Sequence, residues 1–347
     1  MHNLKKLYEL CCGRSVLITN PKDISYLTGA DFDGFWLLTH KKNFFAVTSE
    51  MVKNQAEEYF GKKIAVVTSS SSLSSAVIEI CKKNKIKEVN ADSNIMKPAF
   101  DSVFENLKKN GITLKTVPQI TKYLRSVKSA DEIKNIKKSC DIISDIYCEI
   151  KKFIKPGMTE LDIYFKIAEL FAKYKVEPSF KTIVASGPNS ANPHHSSNNR
   201  KILKNDMVLI DMGCMYKGYC SDLTRVVFLG KINLQTQKIL ALVKYAHEVS
   251  LKTVKSGQDC SFIDSSARTA IEKAGYGANF VHGTGHGVGL DIHEYPSVSE
   301  KSKDTLKENM VITIEPGVYF NGKFGIRIED TVLVTKNGYK VLTSAQY

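Results

Sequence analysis

Four carboxylates in strand-like apolar segments constrain this chain more than any other feature. Asp211 closes the apolar run 207–210, and Asp222 precedes a second apolar run at 223–228. The segment 216–218, Tyr-Lys-Gly, lies between them and is typical of a turn, so the two runs predict a β-hairpin. A turn centred on the first two residues of that segment would place the two aspartates directly opposite each other, about 5 Å apart at Cβ.

The same pattern recurs further along the chain. Glu315 follows the apolar run 311–314, Glu329 follows 326–328, and a turn centred on Gly322 would place the two glutamates opposite each other. Buried carboxylate pairs repel and resist ionisation unless a cation offsets their charge. A lone acidic residue in a strand usually lies at an edge or on the surface, whereas two opposed pairs predict a metal centre.

A histidine completes the candidate ligand set. His286 lies in the glycine-rich segment 283–289, which superficially resembles a phosphate-binding loop but is followed by no Lys-Ser/Thr pair. Four carboxylates and one imidazole form an oxygen-rich donor set, which suits Mn, Fe(II) or Co. A structural zinc site favours Cys and His ligands instead. Four carboxylates also favour two ions bridged by carboxylates and a water molecule, which predicts metal-assisted hydrolysis.

Charge and hydropathy narrow the range of partners. The chain of 347 residues carries a net charge of +13, but its lysines are spread along it without a basic cluster, which argues against nucleic-acid binding. No apolar run approaches the roughly 20 residues that cross a bilayer, and no signal peptide is recognisable. The eight cysteines form no C-x-x-C motif, so we expect reduced thiols, a cytoplasmic location and no membrane partner.

The first part of the chain alternates between strand-like and helix-like segments. Strands are predicted at 15–19 and 64–68, and a hairpin joins 35–39 to 43–47. The serine run 69–72 is short and predicts the start of a helix rather than a linker. This alternation is typical of an α/β domain, and the segment shows no obvious catalytic set.

Within residues 118–128 the pattern changes to long amphipathic helices. The first of these helices has a start signal at 129–132, Ser-Ala-Asp-Glu. We place the domain boundary between residues 124 and 125, which gives a smaller α/β domain at 1–124 and a domain with both carboxylate pairs at 125–347. The predicted fold class is α+β.

The second part contains an internal repeat. The segments 155–159, Lys-Pro-Gly-Met-Thr, and 255–259, Lys-Ser-Gly-Gln-Asp, each follow a long helix and precede another. Thr159 and Asp259 are expected to be the N-cap residues of the second helices. Each second helix leads toward one carboxylate hairpin, so the repeat predicts two related halves with the metals between them.

Three more histidines lie near the carboxylate segments. His194 follows Pro193 in the polar stretch 190–199, and His282 and His293 flank the glycine-rich segment. The other candidates are expected to be ordinary surface residues: His40, His195 and His247.

Three segments resemble the metallopeptidase family of prolidase and Xaa-Pro aminopeptidase. They are His-Gly-Thr-Gly-His-Gly-Val-Gly-Leu-Asp-Ile-His-Glu at 282–294, Ile-Glu-Pro-Gly-Val-Tyr at 314–319 and Arg-Ile-Glu-Asp-Thr at 327–331. Segments 20–29 and 124–129 are similar to that family's N-terminal domain and linker, so the resemblance covers essentially the whole chain. It implies a C-terminal pita-bread metallopeptidase domain, shared with methionine aminopeptidase and creatinase. Creatinase lacks this full ligand set, and the N-terminal domain argues against methionine aminopeptidase.

The resemblance assigns the metal ligands residue by residue. Asp222 and Glu329 would bridge the ions, and Glu315 would also act as the general base toward the attacking water. Two divalent ions per subunit are implied, with Mn²⁺ expected and Co²⁺, Fe²⁺ or Zn²⁺ as alternatives. The full set of implied ligands is Asp211, Asp222, His286, Glu315 and Glu329.

Other implied roles concern the substrate. His194 and His293 would stabilise the gem-diolate and the leaving nitrogen, and His282 would line the proline pocket. Arg327 could bind either a carboxylate beside the metals or the substrate terminus. His195 stands where the family often has a small residue, so the sequence leaves open which of His194 and His195 faces the site.

The function implied is hydrolysis of Xaa-Pro bonds in short peptides. The Xaa-Pro bond is a tertiary amide without an N–H, so peptidases that recognise that N–H cannot use it. An Xaa-Pro dipeptidase and an Xaa-Pro aminopeptidase both fit the sequence, and a catalytically inactive pita-bread binding protein is the alternative. The resemblance also implies a homodimer in which the N-terminal domain restricts access to the site.

Overall fold

A computed structural model describes residues 2–92, 97–118 and 120–345 of the chain. The chain divides into two units, Met1–Arg125 and Ser126–Tyr347. The boundary expected from the sequence, between residues 124 and 125, lies one residue before this division. Residue 119, which belongs to the expected boundary region 118–128, lies outside the described residues.

The first unit is built on a six-stranded sheet with helices between its strands. The strand order is β4-β3-β2-β1-β5-β6, with antiparallel pairing of β1 with β2 and of β2 with β3 and parallel pairing elsewhere. The strands are β1 (Val16–Ile18), β2 (Phe35–His40), β3 (Asn43–Thr48), β4 (Ala65–Thr68), β5 (Glu88–Asp92) and β6 (Thr113–Val117). The helices from this part of the chain are α1 (His2–Cys11), α2 (Pro21–Thr28), α3 (Glu50–Phe60), α4 (Leu73–Lys83), α5 (Lys97–Lys109) and α6 (Ile120–Ser126).

Local sequence signals predict strands β1 to β4 and the start of α4 in this unit. The predicted hairpin is confirmed, since His40 pairs with Asn43 at its closed end. The serine run opens a helix as expected, because the Ser72 side chain accepts a hydrogen bond from the Ser75 N–H and caps α4.

The second unit combines four long helices with a larger sheet. Its helices are α7 (Ala130–Phe153), α8 (Glu160–Tyr174), α9 (Leu234–Thr253) and α10 (Cys260–Lys273), and two short 3₁₀ helices span Gly187–Ala191 and Gly277–Asn279. Its first strands are β7 (Glu177–Pro178), β8 (Ile183–Ser186), β9 (Met207–Met212), β10 (Cys214–Tyr216), β11 (Tyr219–Cys220) and β12 (Leu223–Phe228). The later strands are β13 (Gly285–Gly287), β14 (Glu294–Val298), β15 (Val311–Ile314), β16 (Gly317–Phe320), β17 (Phe324–Arg327), β18 (Glu329–Val334) and β19 (Tyr339–Val341).

The two halves of this unit are joined by strand pairing in one sheet. The main sheet runs β14-β13-β15-β18-β12-β9-β8, with β19 paired to β18. Strand β12 of the first hairpin pairs with β18 of the second, where Thr224 faces Glu329 and Leu223 faces Asp330. The two carboxylate hairpins therefore lie side by side at the centre of one sheet.

The internal repeat predicted from the sequence is confirmed by matching backbone contacts. The Gly157 N–H donates to the Ile202 carbonyl at 2.8 Å, and the Gly257 N–H donates to the Leu306 carbonyl at 2.8 Å. Thr159 forms a capping box at the start of α8. Asp259 is the N-cap residue of α10 by position, but its carboxylate accepts a hydrogen bond from Thr305 Oγ1 instead of capping the helix.

Helices α7 and α8 pack on strands of the first carboxylate hairpin. Residues of α7 and α8 share one buried cluster with residues of β8, β9 and β12, around Ile143, Ile167 and Val208. Helix α7 begins at the predicted signal, with a capping box between Ser129 and Glu132.

In the described part of the chain, no helix combines the length and apolar character needed to span a bilayer.

The register of the first hairpin differs from the prediction. Lys217 and Gly218 form the two-residue turn, with φ of 49° and 79°, so Tyr216 pairs with Tyr219. Positive φ at both central residues is the geometry of a type I′ turn, whose second position favours glycine. The predicted pairing of Asp211 with Asp222 is therefore wrong, because Asp211 pairs with Thr224.

The register predicted for the second hairpin is confirmed. Ile314 pairs with Asp330, and Gly317 pairs with Arg327, which is the register centred on Gly322. The β15–β18 ladder ends at the first of these pairs, and the β16–β17 ladder begins at the second. The register that they share places Glu315 opposite Glu329 in the gap between the two ladders.

Candidate metal centre

The pairing of β12 with β18 brings the predicted ligands into one cavity of about 530 Å³. Ligand atoms of Asp222, His286 and Glu329 all lie within 4.8 Å of one another. His286 Nε2 is 3.6 Å from Asp222 Oδ2 and 3.4 Å from Glu315 Oε1. Asp211 also lines this cavity, so all five predicted ligands are found together.

The electrostatics of the cluster fit a bound cation. Burial, followed by the negative charges of neighbouring carboxylates, raises the pKa of Asp222 and Glu329 well above the ordinary carboxyl range. Burial also raises the pKa of Glu315. Among the described residues, neither Asp211 Oδ1 nor Asp222 Oδ1 has a hydrogen-bond partner. Buried oxygens that repel one another and lack donors are suitable ligands for divalent ions.

Backbone geometry directs His286 at the carboxylates. His286 lies in β13, which runs between β14 and β15. Gly285 and Gly287 flank His286 within this strand. A Cβ at Gly285 would lie 2.0 Å from the Thr313 carbonyl oxygen, and one at Gly287 would lie 2.3 Å from that of Tyr295. The glycines thus permit close contact between strands. His286 Nδ1 lies 3.1 Å from the Gly287 carbonyl oxygen, which leaves Nε2 facing the carboxylates.

Arg327 is buried and lines the same cavity as the carboxylates. Its guanidinium donates to the Asp211 carboxylate, to the Tyr319 hydroxyl at 2.8 Å and to Thr224 Oγ1 at 3.2 Å. Thr224 Oγ1 in turn donates to Glu329 Oε2 at 2.6 Å. Asp211 is itself one of the predicted metal ligands, so Arg327 contacts the ligand set directly, and contact with a substrate terminus stays a prediction.

Two members of this network were not selected from the sequence. Thr224 lies in strand β12, and its sequence context does not distinguish it from a threonine with a purely structural role. Tyr319 lies in a segment that carries the family resemblance, and its position there was the available signal. Burial raises the pKa of the Tyr319 hydroxyl to about 12, so it stays protonated.

His282 and His293 also line the cavity. His282 Nε2 lies 2.9 Å from the Tyr319 hydroxyl, and its Nδ1 lies 2.8 Å from the Gly283 carbonyl oxygen. The His293 ring is 4.3 Å from the His286 ring. Burial lowers the pKa of all three imidazoles, so they are neutral at pH 7.

The two adjacent histidines of the loop differ in their contacts. His195 Nε2 lies 2.7 Å from Glu160 Oε2, and its ring is half-buried. The His194 side chain is exposed and lines the cavity without a hydrogen bond to a described residue. The expectation that His195 is an ordinary surface residue is therefore wrong, because a buried carboxylate holds it.

The expectation for His247 is also wrong. His247 is buried in α9, and its Nε2 lies 3.2 Å from Asp330 Oδ2. Asp330 also accepts a hydrogen bond from Arg225 at 2.6 Å. The Arg225 side chain donates to the Glu329 backbone carbonyl at 2.6 Å, so this network contacts the backbone of a predicted ligand. His40 is half-buried and lies 2.8 Å from Ser15 Oγ.

A carboxylate of α10 holds the loop before His286. Asp264 is fully buried, and its Oδ1 accepts hydrogen bonds from the Thr284 N–H at 3.0 Å and from Thr284 Oγ1 at 2.9 Å. Arg268 pairs with Asp264 and donates to the Phe280 and His282 carbonyls. Apart from its helical spacing of four residues, nothing in the sequence predicts this pair.

The second unit and the first unit match known protein families. Residues 134–336 match the sequence profile of Metallopeptidase family M24, and residues 14–127 match that of the Creatinase/Prolidase N-terminal domain. An uncharacterized peptidase from Staphylococcus epidermidis is 44% identical over 229 residues. That match covers 65% of this chain and 65% of the relative, so the chain spans just under two thirds of the relative's length.

Two solved structures share the fold over nearly the whole chain. The Xaa-Pro dipeptidase from Bacillus anthracis has a TM-score of 0.91 and 29% identity, covering 99% of this chain and 97% of that one. The X-Pro aminopeptidase from Thermotoga maritima has a TM-score of 0.87 and 30% identity, covering 98% of each chain. These matches confirm the predicted fold class, a smaller N-terminal α/β domain followed by a pita-bread domain.

Proposed function

The chain belongs to metallopeptidase family M24, and we propose that it hydrolyses Xaa-Pro bonds in short peptides with two divalent metal ions. The observation that supports this most strongly is the buried cluster of four carboxylates and one imidazole in a single cavity. The similarity to an Xaa-Pro dipeptidase and an X-Pro aminopeptidase supports the bond specificity.

The proposed metal ligands are the five residues of the cluster. Mn²⁺ suits this oxygen-rich donor set, with Co²⁺, Fe²⁺ and Zn²⁺ as alternatives. Bound ions would polarise the scissile carbonyl and lower the pKa of a water molecule. The ligands proposed are Asp211, Asp222, His286, Glu315 and Glu329, of which Asp222 and Glu329 would bridge the ions.

Glu315 is the proposed general base. Thr313 Oγ1 donates a hydrogen bond to its Oε1 at 3.3 Å. Burial raises the pKa of Glu315, which makes its carboxylate a better proton acceptor than a solvated one. Glu315 would take the proton of the attacking water and pass it toward the leaving nitrogen.

His194 and His293 are the proposed hydrogen-bond donors to the reacting carbonyl and the leaving nitrogen. Of the two adjacent loop histidines, His194 fits this role because its ring is free in the cavity while Glu160 holds His195. Such donors stabilise charge that develops in the transition state.

The cavity wall suits a proline ring. Apolar side chains of Phe180, Ile183 and Ile292 line the cavity beside the metal cluster. His282, which the Tyr319 hydroxyl holds in place, would complete the pocket. Recognition by shape is what a tertiary amide requires, since it offers no N–H to a hydrogen-bond acceptor.

Metal-reconstituted hydrolysis tests the proposal. Ala-Pro, Leu-Pro and a longer Xaa-Pro-Yaa peptide are incubated with the metal-loaded protein, with Ala-Ala as a control, and bound metal is counted in the same sample. Cleavage of the dipeptides alone would identify a dipeptidase, and release of Xaa from the longer peptide would identify an aminopeptidase. Metal binding with no Xaa-Pro cleavage would overturn the proposal in favour of a binding protein.

A further inference from the structure

We propose that Glu160 is a positioning residue that fixes the loop carrying His194. The loop follows the 3₁₀ helix Gly187–Ala191 and continues to residue 199. The effect on catalysis rests on the proposed function, because it acts through His194, whereas the anchoring of the loop does not depend on that function.

Glu160 accepts hydrogen bonds from the end of β8, from the 3₁₀ helix and from the loop that follows it. It is the first residue of α8, and its side chain is fully buried. Its two carboxylate oxygens accept five hydrogen bonds in total. Oε1 accepts from the Ser186 N–H and Oγ, both at 2.7 Å, and from Asn189 Nδ2 at 2.9 Å, while Oε2 accepts from His195 Nε2 at 2.7 Å and the Asn198 N–H at 3.1 Å.

The charge of Glu160 suits this position. Although burial opposes ionisation, hydrogen bonds from His195 and from the Ser186 backbone lower the pKa of the carboxyl group below its ordinary value. The N-terminal turn of a helix also favours a negative charge. A buried carboxylate with this many donors is a strong anchor, because removing its charge leaves several donors without an acceptor.

Backbone contacts carry the anchoring from Glu160 to His194. The Asn192 N–H donates to the Asn189 carbonyl at 3.1 Å, and the His194 N–H donates to Asn192 Oδ1 at 3.1 Å. The Gly325 N–H donates to Ser190 Oγ at 2.9 Å and ties the same segment to β17. Since the His194 ring makes no hydrogen bond to a described residue, its position depends on this backbone.

The second half of the unit contains a comparable anchor. Asp264, in the first half of α10, holds Thr284 and orders the loop that carries His282. Both halves thus use a buried carboxylate near the start of their second helix to hold a loop with a cavity histidine. This parallel supports loop anchoring as the role of Glu160.

Hydrogen exchange tests the anchoring without any substrate. Glu160→Gln keeps the shape of the side chain but removes its charge and places an amide N–H against the loop's donors. We expect faster amide exchange in residues 187–199 of the full chain, with unchanged exchange in β9. Asp162→Asn is the matched control, because Asp162 lies in the same helical turn, is exposed and, among the described residues, has a carboxylate that accepts a hydrogen bond only from the Thr159 N–H, which an asparagine Oδ1 can also accept. It should leave loop exchange unchanged.

A double-mutant cycle tests the route through His194. Glu160→Gln is expected to lower kcat about 10- to 100-fold with a smaller change in KM, as displacement of a catalytic group by about 1 Å does. If Glu160 acts by positioning His194, Glu160→Gln combined with His194→Ala will be no slower than His194→Ala alone. Multiplied losses would overturn the positioning role, since a general structural defect would add to the loss of His194.

Each remaining outcome has a defined meaning. If Glu160→Gln does not fold, Asn189→Ala removes one donor and keeps the carboxylate, and it should give a smaller rise in exchange confined to 187–199. Unchanged loop exchange in whichever variant folds overturns the anchoring. If the wild-type protein cleaves no Xaa-Pro peptide, the proposed function fails while the exchange comparison still decides whether Glu160 anchors the loop.

Discussion

Burial sets the pKa of the individual carboxyl groups in the proposed ligand cluster. The pKa values of Asp222 and Glu329 are raised by burial first and then by neighbouring negative charge. Without a cation, these groups therefore retain protons at a pH where a solvated carboxyl group, with a pKa of about 4, is ionised. A divalent ion must displace those protons to bind.

Metal binding is predicted to release protons. A raised pKa in the metal-free fold favours the protonated form, so metal affinity should increase as the pH rises from about 5 toward 8. The stability of the metal-free protein should fall over the same range, because groups with a raised pKa stabilise the fold most below the unfolded value of about 4. Calorimetric titration in two buffers of different ionisation enthalpy measures the release. Binding heats that are independent of the buffer would contradict this prediction.

Replacing the proposed general base should separate catalysis from metal binding. Glu315→Gln preserves shape but cannot accept the proton of the attacking water, so kcat should fall on the order of 100-fold or more. The fold and at least one bound ion should be retained. Metal analysis and circular dichroism serve as controls in the same sample. Turnover equal to that of the wild type would exclude Glu315 as the base.

The two adjacent loop histidines should differ in their contributions. His194→Ala should reduce kcat more than His195→Ala, because the His194 ring lies free in the cavity and His195 contacts Glu160. Initial rates on one Xaa-Pro dipeptide are sufficient to rank them. A larger loss for His195→Ala would reverse the assignment.

Turn geometry determines the register at the scale of the hairpin. The first carboxylate hairpin closes through Lys217-Gly218, and Lys217 adopts a left-handed φ of 49°. Asparagine tolerates this conformation better than lysine, and Asn-Gly is a favoured type I′ pair.

Lys217→Asn is accordingly predicted to stabilise the protein by a few tenths of a kcal/mol, up to about 1 kcal/mol. Urea unfolding measures the change in the free energy of unfolding. Lys204→Asn, at another exposed turn residue without positive φ, is the control and should have no such effect. Equal changes in both variants would show that charge rather than turn geometry is responsible.

The two hairpins show what a sequence can and cannot predict about this site. Gly322 marks the centre of the second hairpin, so the facing positions of Glu315 and Glu329 follow from the sequence. In the first hairpin, an error of one residue in the turn moved the partner of Asp211 from Thr224 to Asp222. Period-two alternation still kept both aspartates on the same sheet face, which is why the ligand set was predicted despite the wrong register.

Contacts between distant segments could not be predicted in this way. Pairing of β12 with β18, the burial of His247 against Asp330, and the anchor at Glu160 each join residues far apart in the chain. Local patterns contain no information about these partners. A buried glutamate at the start of a helix has the same sequence signature as an exposed one.

At the scale of the whole molecule, the proposed catalytic residues are confined to the second unit. That unit has its own buried clusters on both halves of the sheet. The first unit contributes an aromatic group instead, in which the Phe32 ring lies 5.3 Å from Phe35 and 5.6 Å from Tyr59. Met51 and Tyr59 expose apolar surface there, which suits an association role better than a chemical one.

We predict that the protein forms a homodimer in which the first unit limits the length of the substrate. A series from Xaa-Pro through Xaa-Pro-(Yaa)n is compared on the full chain and on a shortened chain that begins at Ser126, with sedimentation to determine the mass. The shortened chain should keep its metal, because the second unit carries the whole ligand cluster. It should lose the dimer and accept longer peptides, because it lacks the first unit. Circular dichroism and metal content establish that the shortened chain is folded. A folded shortened chain with the same length preference would exclude the first unit as the gate. A fully active monomeric full chain would remove the dimer and leave the metal chemistry unaffected.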